Sequence, residues 1–69
     1  MSDSVYKVIE LVGSSSESWE KAAANAINRA SQSLRDLRIA EVSAMDLQIK
    51  DGKIDAYRTK LKVSFKFEG

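Results

Sequence analysis

Apolar side chains along this chain recur with two different periods. Residues 5–12, VYKVIELV, are rich in β-branched residues and stop at Gly13, which predicts a first strand. Apolar residues of both parities imply that each face of this strand is at least partly covered. In residues 19–37, WEKAAANAINRASQSLRDL, the spacing changes to 3 and 4. Trp19, Ala23, Ala26, Ala30, Leu34 and Leu37, with Ile27 alongside, form one helical stripe. Its centre is mostly alanine, so the helix can lie close against a sheet. Residues 38–50 and 54–67 return to strand periodicity, and Asp51-Gly52 between them is the two-residue signal of a type I′ hairpin. The order is β-α-β-β.

The third strand has the clearest alternation. Tyr57, Thr59, Leu61, Val63, Phe65 and Phe67 share one parity, while Arg58, Lys60, Lys62, Ser64 and Lys66 share the other. A helical crossover favours parallel first and second strands. The third strand, antiparallel to the second through the hairpin, then lies between them. With Lys50 opposite Lys53, unbroken pairing places Tyr57 against Asp46, Thr59 against Ala44, Leu61 against Val42 and Val63 against Ala40, on the helix side. On the other side Arg58 opposes Met45, Lys60 opposes Ser43, Lys62 opposes Glu41 and Ser64 opposes Ile39. Glu41 and Lys62 are then an expected exposed cross-strand ion pair, worth about 0.2–1 kcal/mol. Ile39, Met45, Leu47 and Ile49 fall on this charged side too, which reads as a subunit interface with a polar rim or pocket.

Size sharpens that reading. A domain of 69 residues has a marginal core, and with no Cys and no His it lacks disulfides and the common zinc sites. At 43% hydrophobic it is too apolar for a disordered chain, so self-association is the remaining aid to stability. The N-terminus lacks signal-peptide features and no apolar run is long enough to span a bilayer, so a cytoplasmic protein is expected.

The chemistry is sparse. A net charge of +1 is not that of a dedicated nucleic-acid binder, and Tyr57, Phe65 and Phe67 point away from the lysines, so bases have nothing to stack on. Without His or Cys the usual bases and thiol nucleophiles are missing. Ser14 with Glu17 fits a capping box and Ser16 is a rival N-cap; the same serines could hold an anion, but capping explains them without a ligand. Asp46, Asp51 and Asp55 do not have the spacing of an EF-hand loop. Trp19 reads as a core or interface anchor.

VYKVIELVGSSSESWEKAAANAI, then RIAEV, DGKI and YRTKLKVSFKFE, together resemble the dodecin family along nearly the whole chain. The resemblance implies an α+β protomer, residues 1–69 as one domain, with a three-stranded antiparallel sheet wrapped around one helix. It also implies a hollow homododecamer without enzymatic activity. Family members bind and sequester flavins at subunit interfaces for storage or protection, and some bind coenzyme A or cations such as calcium. Flavin binders place a tryptophan immediately before an A/F-E-V sequence, to stack on the ring, and a glutamine after the strand-three tyrosine. Here Ile39 precedes Ala40-Glu41-Val42, and Arg58 follows Tyr57.

The candidate ligand-binding residues are therefore Ile39, Glu41, Met45, Arg58, Lys60 and Lys62. No residue is catalytic, and no metal ligands are assigned. The expected ligand is FMN or riboflavin in an atypical, weaker pocket. Coenzyme A, a divalent cation such as calcium, and a structural shell without a ligand are the alternatives. The expected partners are further copies of the chain and a small molecule, with neither nucleic acid nor membrane.

Overall fold

The computed structural model describes residues 4–67. Residues 1–3 of the N-terminal reading, and Glu68 at the end of the last quoted segment, lie outside them. The order is β1 (Tyr6–Ser15), α1 (Trp19–Ala30), β2 (Leu37–Lys50) and β3 (Lys53–Lys66). The strands form one antiparallel sheet in the order β1-β3-β2, as the crossover and hairpin require. Asp51 and Gly52 both have positive φ, 53° and 74°, the conformation a type I′ turn needs. Among the described residues no helix is long and apolar enough to cross a membrane.

The core lies between α1 and the odd-numbered residues of β3. Thr59, Leu61 and Val63 are almost fully buried, and Ala26 packs on Leu61 and Val63 with Ile9, Leu11, Ala23, Ile27 and Leu37 around them. The helix face that meets the sheet is turned from the expected apolar stripe: Ala22, outside that stripe, is fully buried with Ala26 and Ala30, while Ala23 and Ile27 are only half-buried. Small side chains let the helix approach β1 at Gly13. A β-carbon there would fall on the Ala22 carbonyl oxygen and lie 2.9 Å from Ala26 Cβ. Glycine is needed at this position for space.

Both ends of the helix differ from the sequence reading. Ser18 is the N-cap, its hydroxyl accepting from Lys21 N at 3.0 Å. Ser14 and Ser15 extend β1 instead; the Ser14 carbonyl accepts from Asn25 Nδ2, and Ser15 Oγ from Glu17 N. At the other end the helix stops at Ala30, not Leu37. Ser31 Oγ donates to the Asn28 carbonyl at 2.9 Å, the local competition for backbone acceptors that makes serine a poor interior helix residue. The chain then turns through Asp36, at φ 58°, and Leu37 enters β2.

The hairpin register also departs from unbroken pairing. Lys50 does oppose Lys53, but Gln48 opposes Ala56, leaving Asp55 as an extra residue on β3. From there Leu47 opposes Tyr57, Asp46 opposes Arg58, Met45 opposes Thr59 and Ala44 opposes Lys60. Ser43 is the extra residue on β2 that restores the original register, so Val42, Glu41, Ala40 and Ile39 meet Leu61, Lys62, Val63 and Ser64 as expected. Side chains secure these two bulges: Gln48 Nε2 donates to Asp55 Oδ2 at 3.0 Å, and Ser43 Oγ to the Lys60 carbonyl at 3.2 Å. A third shift, at Arg38, sets Leu37 against Phe65.

The close approach at Gly13 has a measurable consequence. Gly13→Ala is expected to destabilise the protein by about 1–3 kcal/mol, the usual cost of overpacking, read from its chemical denaturation midpoint. An unchanged midpoint would show that the helix does not sit this close to β1.

Candidate functional site

The side of the sheet away from α1 carries the even-numbered residues of β3. Arg58 is half-buried, Lys60 and Lys62 are exposed, and Ser64 continues the row. Strand β1 flanks them with Ser14, Val12, Glu10 and Val8, and β2 flanks them with Asp46, Ala44, Glu41 and Ile39. Val8, Val12 and Ile39 are all exposed, so the charged row runs between apolar margins. Five of the candidate residues, Ile39, Glu41, Arg58, Lys60 and Lys62, are brought to this face. Met45 is not: its partner is Thr59, which faces the helix, because the two bulges displace the intervening part of β2 by one residue. Leu47, paired with Tyr57, is displaced in the same way.

The displaced register brings in Asp46. Arg58 Nε donates to Asp46 Oδ1 at 2.7 Å, and Arg58 Nη2 donates to Oδ2 at 2.9 Å, a bidentate pair. Lys60 Nζ lies 4.0 Å from the same Oδ2. The paired side chains are 39% and 37% exposed, so solvent screens the interaction and its value lies in orientation more than in stability. Hydrogen bonding to Arg58 holds the Asp46 carboxyl below its ordinary value of 3.8, with burial opposing and the nearby charges of Arg58 and Lys60 assisting. The Arg58 guanidinium shifts upward for the reciprocal reason, chiefly its hydrogen bond to Asp46. By contrast Glu41 and Lys62, though register partners, form no ion pair: those among the described residues are Arg58–Asp46 and Lys60–Asp46.

Asp46 is also held from the opposite side of the sheet. Trp19 Nε1 donates to the Asp46 carbonyl at 3.1 Å, and its ring meets Tyr57 edge-on, with centroids 5.1 Å apart and planes at 80°. Thr59 Oγ1 donates to the Trp19 carbonyl at 2.9 Å. The first turn of the helix is thus tied through Trp19 to the backbone of the residue that fixes Arg58. Trp19 is the anchor its position suggested, and it lies on the side of the sheet away from the basic row. Asp46 was missed because unbroken pairing hides it against Tyr57. One signal could have found it: that pairing turns a carboxylate toward the helix side while a cation stands one residue away.

The face can hold an anion on Lys60 and Lys62 or an apolar surface against Ile39, which is 67% exposed. Among the described residues it offers no stacking ring near Arg58. The nearest aromatic of that parity on β1, Tyr6, pairs with Lys66 at the far end of the row. Among the described residues no group of three or more carboxylates is placed to hold a metal ion.

A protein-family model described as Dodecin matches residues 5–68. The chain belongs to the dodecin family. It is 49% identical over 63 residues to a Mycobacterium tuberculosis protein named calcium dodecin, covering 91% of this chain and 89% of that one. A Thermus thermophilus dodecin is 39% identical over 64 residues, covering 93% of each. Among solved structures, Streptomyces coelicolor dodecin superposes with a TM-score of 0.94 at 40% identity, covering 100% of this chain and 99% of that one. The solved Mycobacterium tuberculosis calcium dodecin, described as calcium-chelating with a novel calcium-binding site, gives 0.84 at 52% identity over 94% of this chain and 93% of that one. The β-α-β-β dodecin protomer expected from the residues is therefore the fold of this chain.

The ion pair has a pH signature. Because the native Asp46 carboxyl titrates below 3.8, its contribution is present above that value and is lost as pH falls through the lower native one. Carboxyl-carbon NMR is expected to place the Asp46 midpoint below 3.8. A midpoint at or above that value would contradict the pairing with Arg58.

Proposed function

We propose that this chain is the non-enzymatic subunit of a dodecin shell, a homododecamer, that binds calcium or a similar divalent cation between its subunits. The observation that carries the choice of ligand is the state of Arg58. By the family resemblance this is the position from which flavin binders present a glutamine to the ring edge. Here two of its donors are already committed to Asp46. Ile39, at the position of the stacking tryptophan, has no ring to offer. Kinship with the Mycobacterium tuberculosis protein named calcium dodecin, at 49% identity by sequence and 52% against its solved structure, supports the cation in place of flavin.

Calcium takes six to eight oxygen ligands, and one chain does not gather enough carboxylates for that among the described residues. The cation site of this reading is therefore shared between chains. Glu10 and Glu41, which flank Lys62 from β1 and β2 and are exposed, are available to such a site. Asp46 is not, because Arg58 holds it.

The second reading is FMN or riboflavin in a weak pocket. Its supporting observation is the broad exposure of Ile39 on the same face as Lys60 and Lys62, an apolar seat beside cations that suit a phosphate or ring carbonyls. Coenzyme A draws on the same cations.

Calorimetric titration of the assembled, chelator-treated protein with calcium, alongside fluorescence titration with FMN, separates the readings. Calcium is expected to give saturable heat and raise the melting temperature, while FMN is quenched only weakly, at concentrations far above those at which calcium saturates. Quenching by FMN without a calcium response would replace the first reading with the second. Silence in both would leave a structural shell.

A further inference from the structure

We propose that Asp46 is the specificity-determining residue of the basic sheet face, withholding Arg58 from phosphate-bearing ligands. This rests on the reading that the face lining Ile39, Lys60 and Lys62 is where ligands bind, but it does not depend on which ligand is native.

The geometry gives the reason. A guanidinium grips a phosphate best through two parallel N–H donors on one edge. On Arg58 one such edge, Nε with Nη2, is occupied by the two carboxylate oxygens of Asp46 at 2.7 and 2.9 Å. The same carboxylate draws Lys60, with Nζ 4.0 Å from Oδ2. One acid therefore engages two neighbouring cations of the basic row. Alternate residues of a strand lie about 6.6–6.8 Å apart along its axis, so an oxyanion between Arg58 and Lys60 can reach both once the carboxylate charge is gone.

Charge and structure are separable at this residue. The Asp46 backbone is fixed by the indole of Trp19 and by pairing with β3, and the Ser43 bulge has its own hydrogen bond to the Lys60 carbonyl. None of these uses the carboxylate. Asparagine has nearly the same shape and keeps one acceptor oxygen, so it releases the fork while leaving the strand in place.

FMN and riboflavin share one ring system and differ by a phosphate, so the pair isolates the effect. Asp46→Asn is expected to bind FMN about tenfold or more tightly than the unaltered shell does, the size of one charge-assisted hydrogen bond, with riboflavin unchanged. Asp46→Asn combined with Arg58→Gln is expected to abolish the gain, and inorganic phosphate is expected to compete with FMN in the single variant. Asp46→Ser makes the same change of charge with a different side chain, so a folding defect in one variant does not decide the result. No FMN gain in either assembled single variant, or an equal gain for riboflavin, overturns the proposal. Calcium titration of the unaltered shell reports separately on the function proposed above, and its failure leaves the FMN comparison intact.

Discussion

The core of this chain is too small for the surface it must cover, and the rest of the structure follows from that constraint. One helix of 12 residues, facing the sheet with alanines, covers part of one side of a sheet whose hairpin strands are 14 residues each. Among the described residues the largest fully buried side chains are Leu61, Val63 and Thr59, while eleven large apolar residues are exposed, with Val42, Met45, Leu47, Ile49 and Ile54 along the hairpin among them. The result is an elongated body of 51 × 21 × 17 Å with uncovered apolar surface on both sides of its sheet. Without disulfides or histidine-based metal sites, further copies of the chain are the physically available cover, which agrees with membership of the dodecin family.

The small core also explains how the candidate site is positioned. Because Gly13 and the alanines let the helix settle onto β1 and β3, its first turn brings Trp19 over Tyr57 and within hydrogen-bonding distance of the Asp46 carbonyl. The carboxylate of the same residue then fixes Arg58 on the far side of the sheet. Asp46 is where the packing of the protomer meets the chemistry of its exposed face. A larger side chain at Ala22 or Ala26 would lift the helix and carry Trp19 away from that carbonyl.

The pattern of apolar residues was enough to place all four elements, the strand order and the type I′ turn at Asp51-Gly52. The alternation of β3 correctly separated Thr59, Leu61 and Val63, toward the helix, from Arg58, Lys60 and Lys62. What could not be read was where regular pairing breaks. The Asp55 and Ser43 bulges leave the turn and the stretch from Ile39 to Val42 in register while displacing the residues between them, and a third shift at Arg38 sets Leu37 against Phe65. That displacement moved Met45 off the candidate face and brought Asp46 onto it. Neither bulge has a glycine or proline to announce it; each depends on a side-chain hydrogen bond visible only once the strands are paired. The helix ends were misread for a similar reason. Several serines compete to cap, and an apolar stripe continues to Leu37 although the chain has already turned into the next strand.

The proposed function requires a self-assembling subunit whose basic face, with Arg58 already engaged, retains no stacked flavin. Native mass spectrometry of the protein purified from calcium-containing buffer tests this most directly, because stoichiometry and bound mass are read together. The expected spectrum is a dodecamer carrying calcium that a chelator strips, with no flavin mass. A monomer, or a dodecamer that retains flavin and no calcium, would contradict it.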